Sequence, residues 1–181
     1  MNLNGVKILI ISPQAWGAMK ISKHHYAIEF SKLGADVHFL TGFSQVKECY
    51  KKNGVSIYTF KRPFFYLLKF HMYVIYEALL ILLPKLANLK RQEWDLVLNF
   101  DLAGEFPMKF WKAKKKVFFP VDFPPSELVQ KSHNSTDFVV SIAGGILKKF
   151  DHLQITKLNI GHGVSSDFEP LLNRPPHYSK N

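Results

Sequence analysis

A single cysteine, Cys49, stands among 181 residues. It excludes an intramolecular disulfide and offers no spacing of thiol ligands for a metal, which fits a reducing cytosol. Its bland reading is an ordinary half-buried thiol. A long uncharged apolar run is also missing. The stretch Phe64 to Leu89 is mostly apolar, but Lys69, Glu77 and Lys85 interrupt it and Pro84 would kink it. It therefore falls short of the roughly 18 to 20 residues that a membrane-crossing helix needs. A soluble or membrane-surface chain is expected. The run Ile8 to Ile11 after Lys7 is short and ends at Ser12-Pro13 without a small-residue cleavage site, so it reads as a strand and not as a signal peptide.

Two phosphate-binding signatures are absent. The first loop has only Gly17 where a Gly-x-Gly-x-x-Gly fingerprint would stand, and no Gly-Lys-Ser/Thr follows a strand. A tight glycine-lined pyrophosphate cradle is therefore not expected at that point, and a small nicotinamide-dependent oxidoreductase is disfavoured. Acid is scarce as well: 14 Asp plus Glu face 24 Lys plus Arg, a formal charge of +10. Such an excess favours phosphates, nucleic acid or an anionic membrane leaflet. Nucleic-acid binding calls for a recognised module, and none is visible, so no nucleic-acid partner is expected.

What is present is alternation. Apolar, β-branched runs at Val6 to Ser12, Asp36 to Thr41, Val55 to Phe60, Asp95 to Phe100, Lys116 to Val121, Phe138 to Ile142 and Lys157 to Ile160 are separated by helical patterns. That order predicts an α/β, Rossmann-like doubly wound fold: a mostly parallel sheet of about seven strands with helices on both faces. The first helix should start near Ser22, carry Tyr26, Phe30 and Leu33 on one stripe, and stop at Gly34. Gln45 to Asn53 reads as a short basic connection, and Asn53-Gly54 as a turn into the third strand. Phe64 to Arg91 reads as a long helical region broken near Pro84. Ala103 to Ala113 reads as a helix, and Pro124-Pro125 as the opening of another. One domain over 1–164 is expected, with 165–181 as the start of a hinge or a frayed end.

In an open parallel sheet, ligands bind beyond the carboxyl ends of the strands, so candidate residues are those that follow each strand. They are Ser12 to Gly17, Asp101, Asp122, Ala143-Gly144-Gly145 and His162-Gly163. Trp16, Gly17 and Lys20 suit a flexible lip over a larger ligand, with Trp16 either offering a flat face to a sugar or lipid or packing against a neighbouring loop. His24 and His25 point about 100° apart on a helix, so they cannot share a metal, and one should face the strand edge. Asp101 and Asp122 could take a proton from an acceptor hydroxyl or hold it by hydrogen bonds; the alternative for each is a cap or turn. Asp122 stands out because Pro120 to Pro125 is a stiff loop. Glu105 reads as a surface acid in the first turn of a helix. Lys112, Lys114, Lys115 and Lys116 read as a solvated strand entrance. Phe64, Phe65, Tyr66, Phe70, Tyr73 and Tyr76, mixed with Lys61, Arg62, Lys69 and Lys85, either cover a sheet face or rest on an anionic bilayer.

The string Ile21 to Phe30 followed by Leu33-Gly34-Ala35-Asp36-Val37 resembles the start of GT-B glycosyltransferases of the family 4 type, where a helix ending in L-x-x-x-G-x-x-V enters the second strand. Asp137 to Ser141 resembles the family's last N-terminal strand, and Gly163-Val164 with Phe168 and Pro170 its exit to the hinge. Ser165 stands where the family has an acid, and the spacing to Phe168 is one residue short. The resemblance implies the N-terminal, acceptor-side half of a GT-B fold, with the donor-binding C-terminal domain outside this chain and the fragment inactive alone. It implies transfer of a sugar from a nucleotide-sugar co-substrate to a polysaccharide, glycolipid or other acceptor, with retention, no metal and no further cofactor. Carried over by position, Trp16, Gly17, Lys20, His24 and Asp101 would line the acceptor side, and Asp122 would serve as the catalytic residue beneath the reacting sugar. A cytoplasmic protein, peripheral at the inner face of an anionic membrane, is the implied setting; a non-catalytic membrane-surface or partner-binding module is the alternative.

Overall fold

The computed structural model describes residues 2–17, 21–125, 127, 129 and 135–161. Eight strands form one sheet: β1 (Lys7–Ser12), β2 (Asp36–Thr41), β3 (Glu48–Lys52), β4 (Val55–Thr59), β5 (Glu93–Asn99), β6 (Lys112–Phe118), β7 (Phe138–Ser141) and β8 (Thr156–Asn159). Their spatial order is β3-β4-β2-β1-β5-β6-β7-β8, and every pairing is parallel except β3 with β4. The chain therefore winds from β1 outward through β2 and β4, returns to the other side of β1 as β5, and continues outward to β8. The reversal between β1 and β5 is the topological switch point, where fold of this kind opens a crevice at the strand tips.

Alternation along each strand sends side chains to two cores. Leu9, Ile11, Val97, Phe118 and Val139 face one side, and Ile8, Ile10, Leu98, Val117 and Val140 the other. The second side is covered by α1 (Ser22–Lys32), which buries Ala27 and packs Tyr26 and Phe30 against the sheet. Gly34, at φ +96°, ends it where a side chain would strain the backbone. The first side is covered by α2 (Leu68–His71), α3 (Tyr73–Leu79), α4 (Pro84–Arg91) and α5 (Gly144–Leu147), through Tyr76, Leu86, Leu89, Ile146 and Leu147. Each such apolar side chain taken out of water contributes about 1.5–3 kcal/mol. The expected break at Pro84 is present, and a second falls at Met72, whose φ/ψ of −136°/61° is not helical.

Two expectations need correction. Gln45 to Asn53 is not a plain connection but contains the antiparallel edge strand β3, joined to β4 through Asn53 and Gly54, both at positive φ, as a two-residue hairpin requires. Ala103 to Ala113 is not a helix: only Met108–Phe110 makes a 3-10 turn, and β6 begins at Lys112. The lysine cluster lies along that strand, with Lys112 paired to Glu93 and Lys114 Nζ 2.6 Å from Asp95 on the neighbouring β5. Among the described residues after Pro125, Glu127 and Val129 are helical, and the Val129 N–H donates to the Pro125 carbonyl at 3.1 Å. Among the described residues no helix is long and apolar enough to cross a membrane.

Candidate functional site

The tips of β1, β5 and β6 carry the candidate residues. After β1, Ser12 Oγ accepts from the Gln14 N–H at 3.2 Å, and the Gly17 N–H turns back to the Ala15 carbonyl at 3.0 Å, so the loop is tightly coiled. Trp16 points inward, 8% exposed, with its ring edge-on to His24 at 5.1 Å and to Phe39 at 4.9 Å. Gly17 is the open residue of the loop: a Cβ there would meet nothing within 4 Å.

His24, in the first turn of α1, is buried, whereas His25 is only partly so. Ile21 precedes the helix without any side-chain acceptor, and His24 supplies the cap in reverse: its Nδ1 accepts from the Ile21 N–H at 3.1 Å. That bond leaves the proton on Nε2, which donates to the Ala15 carbonyl at 3.2 Å. Both ring nitrogens thus hold the β1–α1 loop on the helix start. The neighbouring Lys23 was not singled out by the sequence pattern, yet it is 2% exposed, with Nζ 5.6 Å from the centroid of the Phe100 ring beyond β5. Burial draws its pKa down, opposed by the charges of Asp122 and Asp101.

Asp101 organises the loop after β5. Its Oδ1 accepts from the Ala103 N–H at 2.8 Å, and its Oδ2 from Glu105 and Phe106 at 2.6 and 3.1 Å. These donors pull its pKa down, but burial outweighs them and raises it. Its oxygens are engaged by the backbone, the geometry of a turn-forming carboxylate. Glu105, expected on a surface helix, is instead buried and non-helical, because its carboxylate ties three segments together. Oε1 accepts from the Tyr66 hydroxyl at 2.7 Å and Oε2 from the Phe43 N–H at 3.0 Å, while its carbonyl takes the Tyr76 hydroxyl at 2.8 Å. Burial first, then Glu105, pushes the Tyr66 hydroxyl up to about 12.

Asp122 follows β6 in a bend, with its side chain exposed, and Phe123 beside it is 63% exposed. The loop is pinned below them, where Ser141 Oγ donates to the Pro120 carbonyl at 3.0 Å. Asp122 is therefore a solvent-facing carboxylate on a fixed loop. Lys20, His162-Gly163 and the segment to Pro170 lie outside the described residues.

A cavity of about 620 Å³ opens at the same edge, on the α3 side of the sheet. Asn99, Asp101 and Phe118 form its floor; Tyr73, Ile75 and Met108 are among its walls. Its size suits a ligand of drug or disaccharide scale. Sequence reasoning found Asp101 there, but not the α3 and Phe106–Lys109 walls, because it assigned the latter to a helix. A second, smaller cavity of about 340 Å³ is lined by Lys47, Lys61, Arg62, Phe64 and Leu82 among others.

No family model matches the chain, and no curated protein matches it. Among solved structures, the crystal structure of an α,α-trehalose-phosphate synthase (UDP-forming) from Burkholderia vietnamiensis superposes with a TM-score of 0.50 at 14% identity, over 87% of this chain and 48% of that one. The chain thus spans about half the length of the structure it matches. The likeness is one of fold, and it places this protein among Rossmann-like α/β domains with a mostly parallel sheet.

Proposed function

We propose that this domain is the acceptor-side half of a GT-B-type glycosyltransferase that moves a sugar from a nucleotide-sugar to a glycan or lipid-linked acceptor. The observation that supports it most is a 620 Å³ cavity at the tips of β5 and β6, with an exposed carboxylate in the loop after β6, on a sheet that superposes on about half of a UDP-forming synthase. In this reading the acceptor enters the cavity between α3 and the Phe106–Lys109 segment. Asp122 accepts a hydrogen bond from the acceptor hydroxyl, making its oxygen a better nucleophile. Asp101 and His24 act indirectly, by fixing the loops after β5 and β1, and Gly17 leaves room for the ligand or for a second lobe. The nucleotide-sugar is a co-substrate held mainly by a donor domain beyond this chain, and Trp16, packed on His24 and Phe39, supports the β1–α1 loop from within.

A lipid-linked acceptor is favoured by the surface around the cavity. Phe64, Leu67, Phe70, Val74, Ile81 and Leu82 are each more than half exposed. Lys47, Lys61 and Arg62 border the adjoining depression. Apolar side chains ringed by cations suit the interface of an anionic bilayer. The same surface favours the second reading, a non-catalytic membrane-surface module. Release of nucleoside diphosphate from a panel of nucleotide-sugars, by the natural polypeptide that carries this domain and with glycolipid acceptors, separates them: acceptor-dependent release supports the transferase, and none with any donor supports the module.

A further inference from the structure

Among the described residues, the Lys23 ammonium is a charge without a counter-ion. It is 2% exposed, and among the described residues it has no hydrogen bond or ion pair, only the face of Phe100 at 5.6 Å. A buried ammonium is costly unless something pairs with it. The two carboxylates whose fields reach it do not close on it: Asp101 is engaged by backbone amides, and Asp122 faces solvent. Its other neighbour in the first turn, His24, has both ring nitrogens occupied.

Its place in the fold adds to this. Lys23 stands on the first turn of α1, directly after the β1 loop, and reaches across to the residue that follows β5, so it spans the switch point. The first helical amides, of Ser22 and Lys23 itself, have no intrahelical acceptor and carry the positive end of an eleven-residue helix. Below lies a rigid aromatic floor, with Phe100 stacked on Phe119 at 4.7 Å and Tyr26 on Phe119 at 5.9 Å. A compact cation, free amides and a stiff apolar base suit a small, highly charged anion, and lysine meets phosphate as a point charge without needing the planar fork that carboxylates favour.

We infer that Lys23 binds a phosphoryl group of a substrate at the switch point. The transferase reading bears only on which compound brings that group, a nucleotide-sugar diphosphate or a phosphorylated acceptor. It replaces the absent glycine fingerprint with a side-chain cation at the same end of the sheet.

The test uses the natural polypeptide, with inorganic pyrophosphate and glycerol phosphate as probes and sodium chloride at matched ionic strength as control. Wild type should show a pyrophosphate- or monoester-dependent rise in Tm, and Lys23→Met should raise the probe Kd at least tenfold while melting no lower than wild type without anion. Lys23→Gln, which also removes the charge, should behave alike and stands in if the methionine variant fails to fold. Preference for pyrophosphate assigns the donor diphosphate, and preference for the monoester assigns a phosphorylated acceptor. Lack of a probe-linked Tm rise in wild type, or an unchanged Kd in both variants, overturns the inference. Because the readout is binding, a chain that holds pyrophosphate through Lys23 but transfers no sugar sinks the transferase reading alone.

Discussion

Tyr66 donates a 2.7 Å hydrogen bond to the Glu105 carboxylate across 39 residues of sequence. This one contact joins the aromatic segment before α2 to the loop above β5, and Lys69 Nζ, 3.0 Å from the same phenol oxygen, extends it. The segment before α2 and the loop after β5 are held in register by this short polar chain.

Tyr66→Phe keeps the ring and removes the donor to a buried carboxylate. A hydrogen bond to a charged group is worth about 1.5–3 kcal/mol, so a loss in that range is expected by urea denaturation. A double-mutant cycle with Glu105→Gln should show coupling of at least about 0.5 kcal/mol. Additive effects would show that the contact carries no energy.

The same pair sets an alkaline limit. The Tyr66 hydroxyl is raised to about 12 in the folded chain, from 10.0. Between these values the unfolded chain gives up the proton first, so stability falls as pH rises. The Tyr66 contribution is complete below pH about 10 and gone above about 12. The stability difference between wild type and Tyr66→Phe should therefore be flat up to pH about 9 and shrink beyond 10. A difference that grows with pH would contradict the assigned direction.

Gly42 and Gly17 make a contrast. A Cβ on Gly42 would lie 2.8 Å from the Pro13 carbonyl oxygen and 3.0 Å from Glu105 Oε2, whereas one on Gly17 meets nothing within 4 Å. Gly42→Ala should cost about 1–3 kcal/mol, roughly 2–4 °C in Tm for each kcal/mol in a domain of this size. Gly17→Ala should stay within about 0.5 kcal/mol. Equal melting temperatures for the two variants would refute the close approach at Gly42.

The parallel strands were legible in the sequence because Ile8 to Ile11 and Val139-Val140 are buried apolar runs, and Val37, Phe39 and Leu40 dominate β2. β3 was not, because Glu48 to Lys52 are all exposed. An edge strand covered in charge gives no hydrophobic pattern, and its signal lay in the Asn53-Gly54 turn, which implies a strand on both sides. Phe106 and Phe110 sit at helical spacing, yet Asp101 gathers the amides of Ala103, Glu105 and Phe106 into a loop, an effect that periodicity does not report. Of the site, Asp122 and Asp101 were visible as acids after strands. Lys23 was not, since a lysine in a first helical turn reads as solvated until its burial is seen.

The exposed apolar surface predicts flotation with vesicles rich in phosphatidylglycerol and little with phosphatidylcholine alone. Each basic residue near an anionic surface contributes about 1 kcal/mol, so Lys61→Glu with Arg62→Glu should release the protein, as should Phe64→Ser with Leu67→Ser. Because all four side chains stand in solvent, Tm should change little. Indifference to lipid charge removes the membrane from the account.

The central claim is that the strand-tip edge is where a sugar acceptor reacts, with Asp122 touching its hydroxyl. The direct measurement is kcat/KM for Asp122→Ala in the natural polypeptide, alongside its Tm. General acid–base assistance of this kind is worth about 10²–10⁴-fold; a fall of that order with Tm within about 1 °C of wild type is predicted, since surface substitutions stay near ±0.5 kcal/mol. Unchanged kcat/KM would contradict it.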